Sequence, residues 1–297
     1  MMGLRIGVML PASATDEPRA IGSLARHAED VGLDGVFVGD HLAGAVPILD
    51  STVALTTAAE ATKRVDIGFA VMTLALRHVA WAAKQVASMQ HASGDRVILG
   101  VGAGAEHHGR SAWAAVGVPY DDRGRRTEEA LAILPGLIQG KATRLGDAEI
   151  ALEPPAAVPP IWIGGTSRAA MRRSVDYGDA WFPSMRSPSA IASTIGTLEE
   201  LAAERGRPTP SIVLGGYAAL GHEVPRTEID AVVRSLAAYG ISADQAAQIP
   251  ITGGTSSTAQ RFAEYGAVGV SYLVLGLHPG NWRRQCDLVA AARALMR

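Results

Sequence analysis

The sequence predicts an α/β fold, and three observations carry that expectation. Short β-branched runs alternate with amphipathic stretches along the whole chain, eight such pairs can be counted, and the runs are continuously apolar rather than alternating. Continuous apolar strands each followed by a helix fit a parallel sheet covered by helices. Closing eight units into a (β/α)8 barrel takes about 250 residues, which 297 residues allow with loop insertions to spare. A doubly wound open sheet is the rival arrangement, and both place a site at the carboxyl ends of the strands.

The units run in order. RIGVML (5–10) precedes a helical stretch from Pro18 to Gly32, and GVFVGD (35–40) precedes one around Val53 to Arg64. VDIGFAVMT (65–73) leads into VAWAAKQVASMQHA, where Val79, Ala83, Val86 and Met89 share a helical face. RVILGVGAG (96–104) is followed, after a loop, by RGRRTEEALAILPGLI. A Pro- and Gly-rich patch around 140–159 then interrupts the rhythm, as a linker or as an insertion, and we take the chain, 1–297, as a single domain carrying that insertion. PIWIGG (160–165) and AWFPS (180–184) resume the alternation, each with its helix. SIVLGGYAAL (211–220) precedes a helical region in two segments, and SYLVLGL (271–277) precedes the last helix.

Composition narrows the function classes. A net charge of -2 without blocks of like charge argues against nucleic acid or a membrane surface as partner. No apolar stretch reaches the roughly 20 residues of a membrane span, and no charged segment followed by an apolar run of signal-peptide length opens the sequence. Cys286 is the single cysteine, so an internal disulfide is impossible. The expectation is a cytoplasmic protein acting on a small molecule.

Three strand ends carry chemistry. LGVGAGAEHHG (99–109) spaces Gly100, Gly102 and Gly104 as G-x-G-x-G, whereas a dinucleotide fingerprint needs G-x-G-x-x-G opening a helix. Alternating glycines bare one face of a strand, for close packing or for a flat ligand. Glu106, His107 and His108 are adjacent on a loop and have no metal-ligand spacing, so no metal is expected. Asp40 and His41 follow the second strand, where an imidazole is able to move a proton near neutral pH. Gly164, Gly165 and Thr166 lead into a helix beginning near Ser167, a combination of bare N–H groups, hydroxyl and helix dipole suited to an anion.

Four stretches, GLDGVFVGDHL, IGFAVMTLALRHVAWAAKQVASMQHASGDRVILGVGAG, VGVPYDDRGRRTEEALAILPGLIQG and PPIWIGGTSRAAMRRSVDYGDAWFP, resemble the bacterial luciferase-like flavin and deazaflavin oxidoreductases over nearly the whole chain. The resemblance implies a luciferase-like (β/α)8 barrel (a TIM barrel) with a flavin-type ring at the carboxyl ends of the strands. The branch using coenzyme F-420, an 8-hydroxy-5-deazaflavin, is the more similar one. The arginine-rich, lysine-poor composition fits an actinobacterial source, where that coenzyme is common. On that resemblance Asp40 and His41 approach ring and substrate, with His41 as the proton-handling residue. The Ala70-Val71 bond is expected to be a non-proline cis peptide behind the ring. Gly102 and Gly104 give clearance to ring or side chain, His108 joins the ring pocket, and Gly164, Gly165 and Thr166 receive the cofactor phosphate. In the deazaflavin-dependent sugar dehydrogenases an acid directly follows the third glycine. Here Ala105 stands there and Glu106 one place later, which makes Glu106 the candidate acid and argues against sugar phosphates.

The resemblance thus implies hydride transfer between the deazaflavin and a small organic substrate. The alternative is an FMN-dependent monooxygenase served by a separate reductase, and a non-catalytic cofactor-binding relative is the third reading. Family members commonly form homodimers beside the early strands, which points to the Val79–Met89 helix. Substrate choice falls to the loops 43–50, 105–120 and 184–189.

Overall fold

The computed structural model describes residues 3–12, 20–43, 47–105, 109–221, 224–236 and 241–296. The first four units are β1 (Arg5–Met9), α1 (Ile21–Asp30), β2 (Gly35–Val38), α2 (Ser51–Ala61), β3 (Asp66–Thr73), α3 (Val79–Ser93) and β4 (Val97–Gly102), followed by a short α4 (Ser111–Ala115) and α5 (Arg123–Ile138). The 140–159 region holds an antiparallel hairpin, β5 (Thr143–Leu145) and β6 (Ala148–Ile150), turning at Gly146 with φ +60°. Then come β7 (Ile161–Gly164), α6 (Arg168–Tyr177), β8 (Ala180–Phe182), α7 (Pro188–Glu204) and β9 (Ser211–Leu220). The predicted two-segment region is α8 (Arg226–Ser235) and α9 (Ala243–Ala247), succeeded by β10 (Ile251–Gly253), α10 (Thr255–Ala267), β11 (Val270–Leu277) and α11 (Trp282–Ala294).

The parallel ladder β9-β11-β1-β2-β3-β4-β7-β8 closes on itself because β8 pairs with β9 through Ala180↔Ser211 and Trp181↔Ile212. This closure excludes the open doubly wound sheet and leaves an eight-stranded barrel with flanking helices. Strand β10 was not anticipated. It pairs with residues 218–220 of β9, on the edge beyond Gly215, where the segment after β8 makes its last bridge through Ser184. Three residues between Pro250 and Gly254 give too short a run to be read from the sequence.

Side chains alternate across each strand, and the two faces sort into two cores. Outward residues such as Val36, Ile67, Leu99, Ile163, Leu214 and Leu273 pack under the helices. Inward residues Phe37, Ile98, Trp162, Phe182, Val213 and Tyr272 fill the lower barrel. Trp162 stands at its centre, 5.7 Å from Phe37, 5.4 Å from Phe182 and 5.1 Å from Tyr272, ring centre to ring centre. Such a plug needs glycine on the facing strands. A methyl group at Gly68 would lie 2.1 Å from two Phe37 ring carbons, and one at Gly35 2.4 Å from the Tyr272 hydroxyl.

The apolar stripe of α3 points inward. Ala83, Val86 and Met89 are buried against the barrel, so these residues are spent within the chain and carry no argument for dimerisation. Among the large apolar groups left outside are Trp81 on α3, 68% exposed, and Val53 on α2, 63% exposed, beside Leu42, Val116 and Leu295. The basic start of α5 finds partners at hand. Arg125 pairs with Asp122 and Glu129, Arg123 lies over the Tyr120 ring, and Glu128 reaches across to Arg172 and Arg173 of α6. No helix among the described residues is long and apolar enough to cross a membrane.

Candidate active site at the mouth of the barrel

Above the aromatic plug the inward positions become small, and the barrel opens at the carboxyl ends of its strands. In β3 the register against β4 passes from Phe69↔Leu99 to Met72↔Val101, so Ala70 and Val71 together oppose Gly100. This is a bulge of one extra residue. The Ala70-Val71 peptide is cis, as expected. Phe69 and Met72 are wholly buried while Ala70 and Val71 between them are partly exposed, so the bulge presents a small apolar floor to the mouth.

The glycines beside that floor show the close packing that is one of the two readings of their spacing. A methyl at Gly102 would lie 2.5 Å from Val71 Cγ2, one at Gly164 3.1 Å from Val71 Cγ1, and one at Gly100 2.1 Å from the Phe69 carbonyl oxygen. Gly104, at φ +80°, would bring its methyl 2.6 Å from the Trp113 ring. The clearance at Gly102 and Gly104 is therefore taken by Val71 and Trp113. A ligand meets these glycines only through their backbone.

His41 stands beside the floor. A methyl at Gly39 would be 3.6 Å from His41 Nε2 and 3.8 Å from the Ala70 carbonyl oxygen, so imidazole and bulge face the same small volume. Asp40 is engaged elsewhere. Its Oδ1 accepts from Ser51 Oγ at 2.8 Å and from the Arg77 guanidinium at 2.7 Å, while Oδ2 accepts from the Thr73 amide at 2.9 Å and from the second Arg77 nitrogen. A carboxylate offers about four acceptor sites, and all are filled by protein donors. Asp40 thus ties together the ends of β2 and β3 and the start of α2, and no acceptor is left for a cofactor. Burial opposes its ionisation, but the Arg77 guanidinium and the two further donors outweigh burial and hold its carboxyl below the usual range. Asp50 Oδ2, 4.0 Å from Arg77, joins Asp40 in holding that guanidinium charged.

Two strands round from β3, Gly164 ends β7, Gly165 follows it, and Ser167 caps α6 by accepting from the Ala170 amide at 3.2 Å. Gly165 has φ +122°, a backbone conformation that favours glycine. Gly165, Thr166, Ser167, Arg168 and Ala169 are all exposed. The turn is braced from outside the barrel, where Trp181 Nε1 donates to the Gly165 carbonyl at 2.8 Å. Trp181 faces the helices and does not border the mouth.

Glu106 and His108 lie outside the described residues. Arg77 was missed as a site residue, and only its isolation as one charge in the apolar stretch LALRHV hinted at it. Among the described residues no cluster of metal-ligating side chains occurs.

The family model for luciferase-like monooxygenases matches residues 2–291. The chain belongs to the luciferase-like monooxygenase family. A luciferase-like relative, the F-420-dependent glucose-6-phosphate dehydrogenase of Beutenbergia cavernae, is 31% identical over 195 residues, 60% of this chain and 56% of that protein. The chain spans about half the length of the curated relatives it matches. Two solved structures share the fold. An F-420-dependent secondary alcohol dehydrogenase in complex with an F-420-acetone adduct has a TM-score of 0.82 at 18% identity, covering 100% of both chains. A riboflavin lyase with modified FMN and riboflavin has a TM-score of 0.78 at 16% identity, covering 97% of this chain and 90% of that one. Members of the family are oxidoreductases or monooxygenases.

Proposed function

We propose that the protein is a coenzyme F-420-dependent oxidoreductase that moves a hydride between the deazaflavin and a small organic substrate. The observation that carries this reading is the juxtaposition of His41 with the partly exposed Ala70–Val71 floor at the barrel mouth. The residues fit a flat ring: Gly39, Ala70, Val71 and Gly164 present nothing larger than a valine. Two strands on, the exposed start of α6 from Gly165 to Ala169 suits the cofactor phosphate, with Thr166 and bare N–H groups as donors. The deazaflavin supplies two-electron hydride transfer when bound.

The chain's own part is to support the ring from below, to anchor the phosphate, and to handle one proton at the substrate. His41 takes that proton or returns it. Asp40 and Arg77 act through His41 by fixing the loop on which it sits. For His41→Ala the expected outcome is a 10²- to 10⁴-fold fall in kcat, with F-420 affinity within a few-fold of wild type by fluorescence titration. Unchanged turnover would remove His41 from the chemistry.

A second reading, an FMN monooxygenase served by a separate reductase, draws on the family description and on the fold-related flavin enzyme. Parallel titrations with F-420 and FMN separate the two. Binding of the deazaflavin alone supports hydride transfer, binding of FMN alone favours the monooxygenase, and binding of neither leaves a non-catalytic relative. Homodimerisation and a cytoplasmic location belong to the same proposal.

A further inference from the structure

Helix α3 leads away from the mouth and ends where β4 begins, so its last turn lies at the opposite end of the barrel. There the 140–159 insertion crosses it and is tied down by three α3 side chains. Lys84 Nζ donates to the Glu153 carbonyl, Gln90 Nε2 to that of Ala157 at 2.9 Å, and His91 Nε2 to that of Pro155 at 2.9 Å. The insertion also lies tightly against Gly140, at φ +70°, where a methyl would be 2.9 Å from the Leu152 carbonyl oxygen and 3.0 Å from Pro155 Cβ. These attachments fix the walls of a cleft of about 510 Å³, lined by Gln90, His91, Gly94, Asp95, Gln139 and the chain from Pro155 to Ala157. Its size is that of a small-molecule site.

The lining is rich in acceptors. The amides of Gly94 and Asp95 both turn back to the Gln90 carbonyl, so the carbonyls of His91 and Ala92 end α3 without a backbone donor and carry the negative end of its dipole. Helix α5 stops at the same cleft, with Gln139 as its next residue, and brings a second negative helix end. Asp95 adds a full charge, and among the described residues its carboxylate takes no hydrogen bond and no ion pair. The Gln139 side-chain amide is equally unengaged. His91 Nε2 faces a carbonyl, which only accepts, so Nε2 is the donor and Nδ1 of the neutral ring is a further acceptor. No lysine or arginine lines the cleft.

We propose that this cleft binds a small organic ammonium ion, with Asp95 as its counter-charge and the α3 carbonyls, His91 Nδ1 and the Gln139 carboxamide oxygen accepting its N–H groups. An ammonium carries three donors and no acceptor, which complements this lining, whereas an anion would meet no positive group there. Two negative helix ends favour a ligand with two ammonium groups over a ligand with one. The site lies apart from the mouth, so it stands or falls independently of the F-420 reading.

The test titrates the full chain calorimetrically with 1,4-diaminobutane, butylamine and butyrate, each to millimolar concentration, at low and at high salt. The diamine is expected to bind, butylamine more weakly and butyrate not at all, with affinity falling as salt rises because the groups are exposed. Asp95 stands at φ +60°, a conformation that asparagine also tolerates, so Asp95→Asn keeps the backbone and removes the charge. It should weaken diamine binding about 3- to 10-fold without lowering the urea midpoint, a split that a merely structural role would not produce. Gln139→Ala, on the other wall, should weaken binding by less. Absence of binding by both amines, equal binding of butyrate, or unchanged affinity in Asp95→Asn would each overturn the proposal. A response to Zn²⁺ but to neither amine would overturn it in favour of a metal site.

Discussion

Gly68 and Gly102 both face the barrel axis, one low on β3 and one at the end of β4, and each lacks a side chain for the sake of a specific neighbour. Below, Gly68 makes room for Phe37, and Gly35 for the Tyr272 hydroxyl, so that four aromatic rings fill the barrel's lower half. Above, Gly102 and Gly164 make room for Val71, one modest side chain raised on a bulge, Gly100 clears the Phe69 carbonyl oxygen, and the space over the bulge stays open. Glycine opposite a large ring produces a packed layer, whereas glycine opposite a valine produces a floor. The size of the partner, not the glycine, decides whether a layer of the barrel is core or site.

Emptying the lower layer should break the comparison most severely. Phe37 is wholly buried and touches the Trp162 and Tyr272 rings. Phe37→Ala is expected to cost about 3–5 kcal/mol through lost burial and an unfilled cavity, measured as a fall in the urea midpoint at constant slope. Loss of F-420 affinity in the variant should appear only where unfolding begins, since the ring layer does not reach the mouth. A folded variant with weakened cofactor binding would show that the two layers are coupled.

The next effect lies at the join between β2 and β3. Asp40→Asn keeps the shape but removes the charge facing Arg77, and a charge-assisted bond of this kind is worth about 1.5–3 kcal/mol. The folded-state pKa of Asp40 is depressed, so its stabilising contribution is complete above its ordinary value near 4 and is lost as pH falls through the lower folded value. Wild type and variant should therefore differ most at pH 7 and converge toward pH 3 in urea unfolding. A difference independent of pH would mean that the ion pair contributes nothing beyond its shape.

Much of the frame was legible because it is local. The run SIVLGGYAAL is β9 from first residue to last, and Ser167 caps its helix as the hydroxyl and spacing suggested. The cis bond at Ala70-Val71 came from resemblance to the family and not from any local rule, since Ala and Val carry no cis preference. What escaped was set by neighbours distant in sequence. Asp40 meets Arg77 thirty-seven residues on, and Gly102 meets a valine from the preceding strand. The glycine spacing announced bare backbone but not what would lie against it.

Gly102→Ala sharpens the comparison at its subtlest point. The added methyl would stand 2.5 Å from Val71 Cγ2, too close for any ordinary contact, yet the obstacle is the end of one side chain and not backbone. Overpacking of this kind is expected to cost about 1–3 kcal/mol. Val71→Ala alone removes the obstructing methyls and leaves a gap. The double variant should recover most of the Gly102→Ala loss, so a double-mutant cycle on urea unfolding should give a favourable coupling of about 0.5–3 kcal/mol. Cofactor affinity in the double variant then tells what the floor is for. If it matches wild type, an alanine methyl supports the ring as well as the valine does. If it falls while stability is restored, the height of Val71 is itself part of the binding surface, and Gly102 and Gly164 let that side chain stand there.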